Sequence, residues 1–262
     1  MQNVSADVYF FADADDVWSK KKVEKSLAAL AGMGGGSLKE AQTGMGGGSV
    51  EEAALSGTPL CIFTDMYVTD ERLTVTNNSF IRSIDRNPYF FRYQEIIMDN
   101  PAAGCTMCFN RACRDAAVFA KSHDGEKRFK EAASQVEMHD VWVLLTAALT
   151  GRVSVIDEPL VHYRQHWDNE MGAASETFFQ KLIRNAAGLF DGSIAAKKKA
   201  YYDKAKSLAG AALLLEGVSA STRETLRIFC GLSVLKKPER IEFLKEKGFR
   251  REKHSLWIWL WA

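Results

Sequence analysis

A chain of 262 residues that is 47% hydrophobic has ample material for a core, and a net charge of +1 from 34 basic and 33 acidic side chains offers no field to gather nucleic acid. Five scattered cysteines fit a reducing compartment better than a disulfide framework, and Cys105-Thr-Met-Cys108 lacks the second pair a zinc site would want. With no basic start leading into a sustained apolar run, and no apolar run long enough for a bilayer, the expected location is cytoplasmic.

The first element is the apolar run Val8-Tyr9-Phe10-Phe11, read as a buried strand that runs into Asp13, Asp15 and Asp16. Carboxylates this crowded repel one another, so a hard divalent cation, magnesium or manganese, is a natural companion and could in turn hold a diphosphate. The competing reading is an Asp-rich turn capping the helix expected after Trp18. Over 19–31, Val23, Leu27 and Leu30 recur at helical spacing with a basic opposite face, which predicts a short amphipathic helix. Gly32-Met-Gly-Gly-Gly-Ser37 then returns as Gly44-Met-Gly-Gly-Gly-Ser49. Neither copy carries the Lys-Ser/Thr of a P-loop or a dinucleotide spacing, so a mobile inserted loop is expected over 32–50.

Leu60-Cys-Ile-Phe-Thr-Asp65 reads as a second apolar strand ending in an acid that could support a site or merely cap the strand, and Met66 to Leu73 as further strand or turn. Asn77-Asn78 and Asn87-Pro88 mark turns, Tyr93 to Met98 a helix, and Asn100 to Asn110 a turn and strand in which Gly104 would let a backbone approach a ligand. Helices are expected at 111–121, at 126–134 and at His139 to Leu149, the last so apolar that it must be buried along most of its length. Asp140, at its start, can cap the helix, act as a base, or do both. Gly151 to Asp157 is a short strand. After a turn at Pro159 comes the extended Leu160 to Asn169, where His162 and His166 share a face and either could be a metal ligand. Beyond about residue 175 the patterns are helical, including Ala195 to Leu215 and Thr222 to Leu235. Lys236 to His254 is basic and leads into a tryptophan-rich end. That tail could make peripheral contact with an anionic membrane surface, although docking of its aromatic face on the domain is the favoured reading.

Taken in order, Asp13-Ala-Asp15-Asp16-Val-Trp18, Phe63-Thr-Asp65, Asn100 through Gly104-Cys-Thr-Met107, His139-Asp140-Val-Trp142 and Tyr163-Arg-Gln-His166 with Asn169 resemble the family 2 glycosyltransferases of GT-A fold, and within them the rhamnosyltransferase-like bacterial members. The resemblance covers residues 5–172. It implies an α/β fold: a partial GT-A, Rossmann-like mixed sheet flanked by helices over 1–172, then a helical C-terminal region over 173–262. It further implies metal-dependent, inverting transfer of a single sugar, such as rhamnose, from a nucleotide-sugar donor to a saccharide or lipid-linked acceptor in cell-surface polysaccharide synthesis. On this plan Asp13 and Asp15 match the Asp-x-Asp that binds metal and nucleotide, Asp16 supports them, and His166 falls where a further metal ligand is often found. Asp140 matches the acid that deprotonates the acceptor hydroxyl. Gly104 and Cys105 would line the donor-sugar and acceptor cleft, with Trp142 as an apolar wall.

Two features depart from the family. Its opening Pro-Thr-Tyr-Asn-like turn and Asp-Asp-Gly-Ser segment, which hold the donor base and ribose, have no counterpart here, so a truncated remnant or half of a split enzyme is the alternative. The glycine-rich repeat lengthens a loop and touches no named residue. The Gln-x-x-Arg-Trp of processive members is also missing, which favours one transfer per encounter. A haloacid-dehalogenase-like phosphatase would also use a strand followed by Asp-x-Asp, but would want a threonine where Val17 stands.

Overall fold

The computed structural model describes residues 4–35, 49–84, 86–165 and 193–250. His166, Asn169, most of the glycine-rich repeat and the tryptophan-rich end lie outside them. The chain enters on β1 (Val8–Phe10), turns through the acids into β2 (Val17–Trp18), and continues as α1 (Lys22–Gly35). Helix α2 (Val50–Leu55) opens with a capping box between Ser49 and Glu52 and delivers β3 (Leu60–Thr69). Next come β4 (Val75–Asn77), α3 (Phe80–Ser83), α4 (Tyr93–Met98), a 3-10 turn at Gly104–Thr106, and β5 (Met107–Asn110). Three helices follow, α5 (Arg111–Ala117), α6 (Gly125–Ala133) and α7 (His139–Thr150), before β6 (Arg152–Arg164). The chain closes with α8 (Ser193–Ala212), α9 (Ala220–Cys230) and α10 (Lys237–Lys247).

The architecture is α/β: a mixed sheet flanked by helices, in the order β1-β5-β3-β6-β2, with β4 paired to β3. β3 and β6 run parallel and the other pairings are antiparallel. β3 is buried on both faces, the position its unbroken apolar sequence demands. Alternation sends Cys61 and Phe63 toward Phe109, α7 and the C-terminal helices, and sends Leu60 and Ile62 toward Leu30, Met33 and Ala53 of α1 and α2. The first of these clusters also takes in Leu208, Leu226, Phe229, Leu244 and Phe249. The C-terminal helices therefore share the core of the sheet, and Phe229 stacks on Phe249 with centroids 4.4 Å apart. The five cysteines are free and four of them are buried.

Two expectations change, and one open alternative closes. The turn predicted at Pro159 is absent, because β6 is one strand of 13 residues that carries the proline through irregular register against β3, where Thr64 pairs Ile156 and Asp65 pairs Pro159. A bulge tolerates a residue with no N–H to give. The buried stripe of α1 is Lys22, Ser26, Leu30 and Met33, each no more than 1% exposed, whereas Val23 is 42% exposed. The helix is thus rotated from the face that Val23, Leu27 and Leu30 define. Finally, Asp65 is structural. Its Oδ1 accepts from the backbone N–H of Met66 at 2.7 Å and of Ile81 at 3.2 Å, Ser79 donates to its Oδ2, and an Arg82 nitrogen lies 3.5 Å from that oxygen. This wholly buried carboxylate fastens the turn before α3 to the sheet. Asp65→Ala would strand the Ile81 N–H and the Ser79 hydroxyl, at an expected cost of about 3 kcal/mol in urea unfolding. A loss below about 1 kcal/mol would mean that water replaces the carboxylate.

Candidate functional site

The segment after β1 does not stay extended. A turn at residues 14–15 reverses it, and β2 then pairs with β6 through Val17 opposite His162 and Trp18 opposite Val161. The turn decides which acids meet. Along an extended Asp-x-Asp, positions 13 and 15 would share a face. Across the turn it is Asp13 and Asp16 that converge with Cys105, their ligating atoms all within 4.8 Å of one another. Asp15 is outside that group, though near enough for its charge to act on Asp16. Of the expected metal ligands, then, Asp13 is in the cluster, Asp16 takes the place foreseen for Asp15, and His166 lies outside the described residues. The other candidate histidine, His162, sits against Tyr67 with ring centroids 5.0 Å apart, while its strand neighbours Val161 and Tyr163 pack with Cys105.

Asp16 is held by the backbone N–H of Arg164, which donates to Oδ1 at 3.3 Å. Its Oδ2 is buried with no hydrogen-bond partner among the described residues. Burial raises the Asp16 pKa above the ordinary carboxylate value, and the charges of Asp13 and Asp15 raise it further, against partial relief from the Cys105 thiol and the Arg164 N–H. An orphaned oxygen beside a second carboxylate fits a hard cation. Cys105 does not fit as a ligand to such an ion: it is 1% exposed, and burial followed by the Asp16 charge pushes its thiol well above the ordinary range, keeping it protonated. Asp13 and Asp16 are the residues that could hold magnesium or manganese, with water or phosphate oxygens completing the shell. The Tyr163 hydroxyl is also close, its pKa pushed up to about 12 by burial and then by Asp16, so it stays protonated there.

Two groups that bind this loop to the rest went unread in the sequence. Lys22 has no exposed surface, yet its Nζ donates to the Cys105 carbonyl at 2.6 Å and lies 3.3 Å from the Trp18 ring centroid. Burial lowers its pKa to about 8, opposed by the neighbouring thiols, Asp16 and Asp13. Its signal is the helical stripe itself, since steps of four back from Leu30 reach Ser26 and Lys22. The second group is His139, whose ring meets Phe11 edge-on with centroids 4.6 Å apart.

Asp140 reaches the same place from the other side. It is 5% exposed in the first turn of α7, its Oδ1 accepts from the Val141 N–H at 2.6 Å, and the Gly104 backbone is near enough to favour the ionised carboxylate. Burial raises its pKa, outweighing these groups and His139. Gly104 earns its place by what it lacks: a Cβ there would stand 3.3 Å from His139 Nε2, 3.6 Å from the Asp140 Cβ and 3.9 Å from the Phe11 Cβ. The Gly104–Cys105 turn is therefore the meeting point of the 11–16 loop and the start of α7. Trp142 is a correction. It is 4% exposed, gives its indole N–H to the Ala117 carbonyl at 2.8 Å and packs with Phe119, so it belongs to the core and walls no cleft. Two residues along a helix turn a side chain about 200° from Asp140.

Comparison with protein-family models, with curated proteins and with solved structures yields no match. Among the described residues no helix is long and apolar enough to cross a membrane.

The raised Asp16 pKa has a definite sign. The folded state holds that proton more tightly than the unfolded one, so above the folded pKa the ionised carboxylate opposes folding; the penalty fades as pH falls through the folded pKa and is gone below the ordinary value of 3.8. In chelator at pH 7, Asp16→Asn is expected to raise the urea midpoint, with the gain vanishing near pH 3. A lowered midpoint at pH 7 would refute the desolvation account.

Proposed function

We propose that this chain carries a metal-assisted glycosyl-transfer site of the family 2 type, moving one sugar from a nucleotide-sugar donor to an acceptor hydroxyl with inversion. The observation that carries the reading is the shared turn: acids from residues 13–16 and Asp140, far apart in the chain, are held on two sides of Gly104–Cys105. The order of the motifs supports it as well. Asp13 and Asp16 would hold the cation, which when bound offsets the charge that grows on a departing diphosphate. Asp15 and the Tyr163 hydroxyl border that position. Asp140 is the base: a carboxylate whose proton affinity is lifted by burial, oriented by the Val141 N–H, suits removal of a hydroxyl proton as the new bond forms. The Lys22 ammonium and the missing Gly104 side chain keep the two sets of acids in register. The donor sugar, with rhamnose suggested by the resemblance, the saccharide or lipid-linked acceptor and the setting at the inner face of a membrane belong to the same proposal.

Calorimetric titration with manganese together with thymidine or uridine diphosphate tests it directly. Binding is expected for the native chain, weakened at least about tenfold by Asp13→Asn or Asp16→Asn, roughly 1.4 kcal/mol, and left nearly unchanged by Asp140→Asn. Equal affinity in all four proteins, or no binding to the native chain, would overturn the reading in favour of a non-catalytic remnant.

A further inference from the structure

We propose that the outer stripe of α10 is a docking groove and that its occupant is the chain's own tryptophan-rich end, residues 255–262. The stripe is Lys237, Pro238, Ile241, Glu242, Lys245 and Glu246, which border an open groove of about 670 Å³ with a largely apolar surface. These residues recur in adjacent pairs at steps of four, so they share one side of the helix. The apolar surface comes from Pro238, Ile241 and the methylene stems of the charged side chains. Just ahead of the helix, Val234 is also bare, at 87% exposed.

Length and charge name the occupant. Helix α10 is closed by Gly248, whose φ of 76° lets the Phe249 N–H reach the Leu244 carbonyl at 2.9 Å, and the chain turns aside there. Phe249 is wholly buried on Phe229, and Arg250 lies 3.2 Å from Glu95, so the point of departure is fixed. Beyond it the sequence offers Leu256-Trp-Ile-Trp-Leu-Trp261, an unbroken apolar run whose three tryptophans each have on the order of 200 Å² to bury. Extended at about 3.3 Å per residue this run spans about 20 Å, close to the roughly 16 Å of α10. Residues 251–255 reach about 17 Å, enough to bring it alongside the helix. They also carry Arg251 and Lys253. On the stripe Glu246 is already 2.7 Å from Lys247, whereas Glu242 forms no ion pair among the described residues and is the acid left to receive a cation. An anionic membrane would also attract such a tail, but the stripe's two lysines are balanced by its two glutamates, so the groove itself gives that surface no net attraction.

The test is fluorine NMR on the whole chain labelled with 5-fluorotryptophan, the tail resonances being assigned with Trp257→Phe, Trp259→Phe and Trp261→Phe. In dilute, lipid-free solution at least two of the three are expected to show less than half the solvent isotope shift of free fluorotryptophan. Pro238→Asp sets a carboxylate in the groove at a first-turn position where Asp suits the helix, and is expected to bring those resonances to the free value. Glu242→Lys is expected to move them the same way, and Pro238→Ala to leave them in place. An unchanged resonance of the core residue Trp142 reports that each variant is folded. A full isotope shift in the native chain would overturn the proposal, as would protection unchanged in both Pro238→Asp and Glu242→Lys. Protection that appears only on raising the protein concentration would assign the tail to a second copy, and protection only with phosphatidylglycerol vesicles would assign it to a membrane; either result overturns the proposal.

Discussion

The Lys22 ammonium, bonded to the Cys105 carbonyl and set over the Trp18 ring, is the contact on which the site's geometry depends. Removing an ammonium from water is costly unless it is well partnered, and here the partners come from two separated stretches: Trp18 in the strand after the acids and Cys105 in the turn before β5. The acid loop therefore cannot drift from the Gly104–Cys105 turn without leaving a buried charge unpaired. On its opposite side the same turn packs against the start of α7, where His139 and Asp140 lie against Gly104. A four-residue acid loop gains from this a rigidity that its own sequence does not supply.

The sheet explains why those stretches arrive together. β3 and β6 run side by side for nearly their whole lengths, and the bulge opposite Asp65 breaks their regular pairing just before the strand ends that carry Val161, Tyr163 and Arg164. Bulges re-aim side chains, and beyond this one Tyr163 comes near the acids while the Arg164 N–H meets Asp16. The side chains displaced by the irregularity are anchored locally: Asp157 by Arg82 and Tyr89, and Glu158 by Lys25 of α1. Asp65, which in sequence resembles another site acid at a strand end, is consumed in holding this corner together.

The strands and long helices were legible because burial writes itself as period: β3 as an unbroken apolar run, α7 as an apolar helix, α8 and α9 as amphipathic repeats. What was not legible came from tertiary context. The continuity of β6 through Pro159 depends on a neighbour that tolerates the bulge. The choice of Asp16 over Asp15 depends on a turn at residues 14–15 that composition does not announce among so many aspartates. The resemblance makes Trp142 a cleft wall, yet helical geometry places it on another face from Asp140. Lys22 was hidden in a run of three lysines, of which only the one in register with Leu30 turns inward.

The charges of the loop bear on what the cluster could hold. Asp13, Asp15 and Asp16 carry three negative charges and Lys22 one positive, and the charges of Asp13 and Asp15 add to burial in raising the Asp16 pKa. Asn at position 16 could keep the hydrogen bond from Arg164 without the repulsion, so the negative charge is not needed for that contact. A divalent ion would cancel the imbalance and stabilise the folded chain according to its concentration over its dissociation constant. The strain that the acids place on the cation-free fold would then also be the source of the site's affinity for its ion.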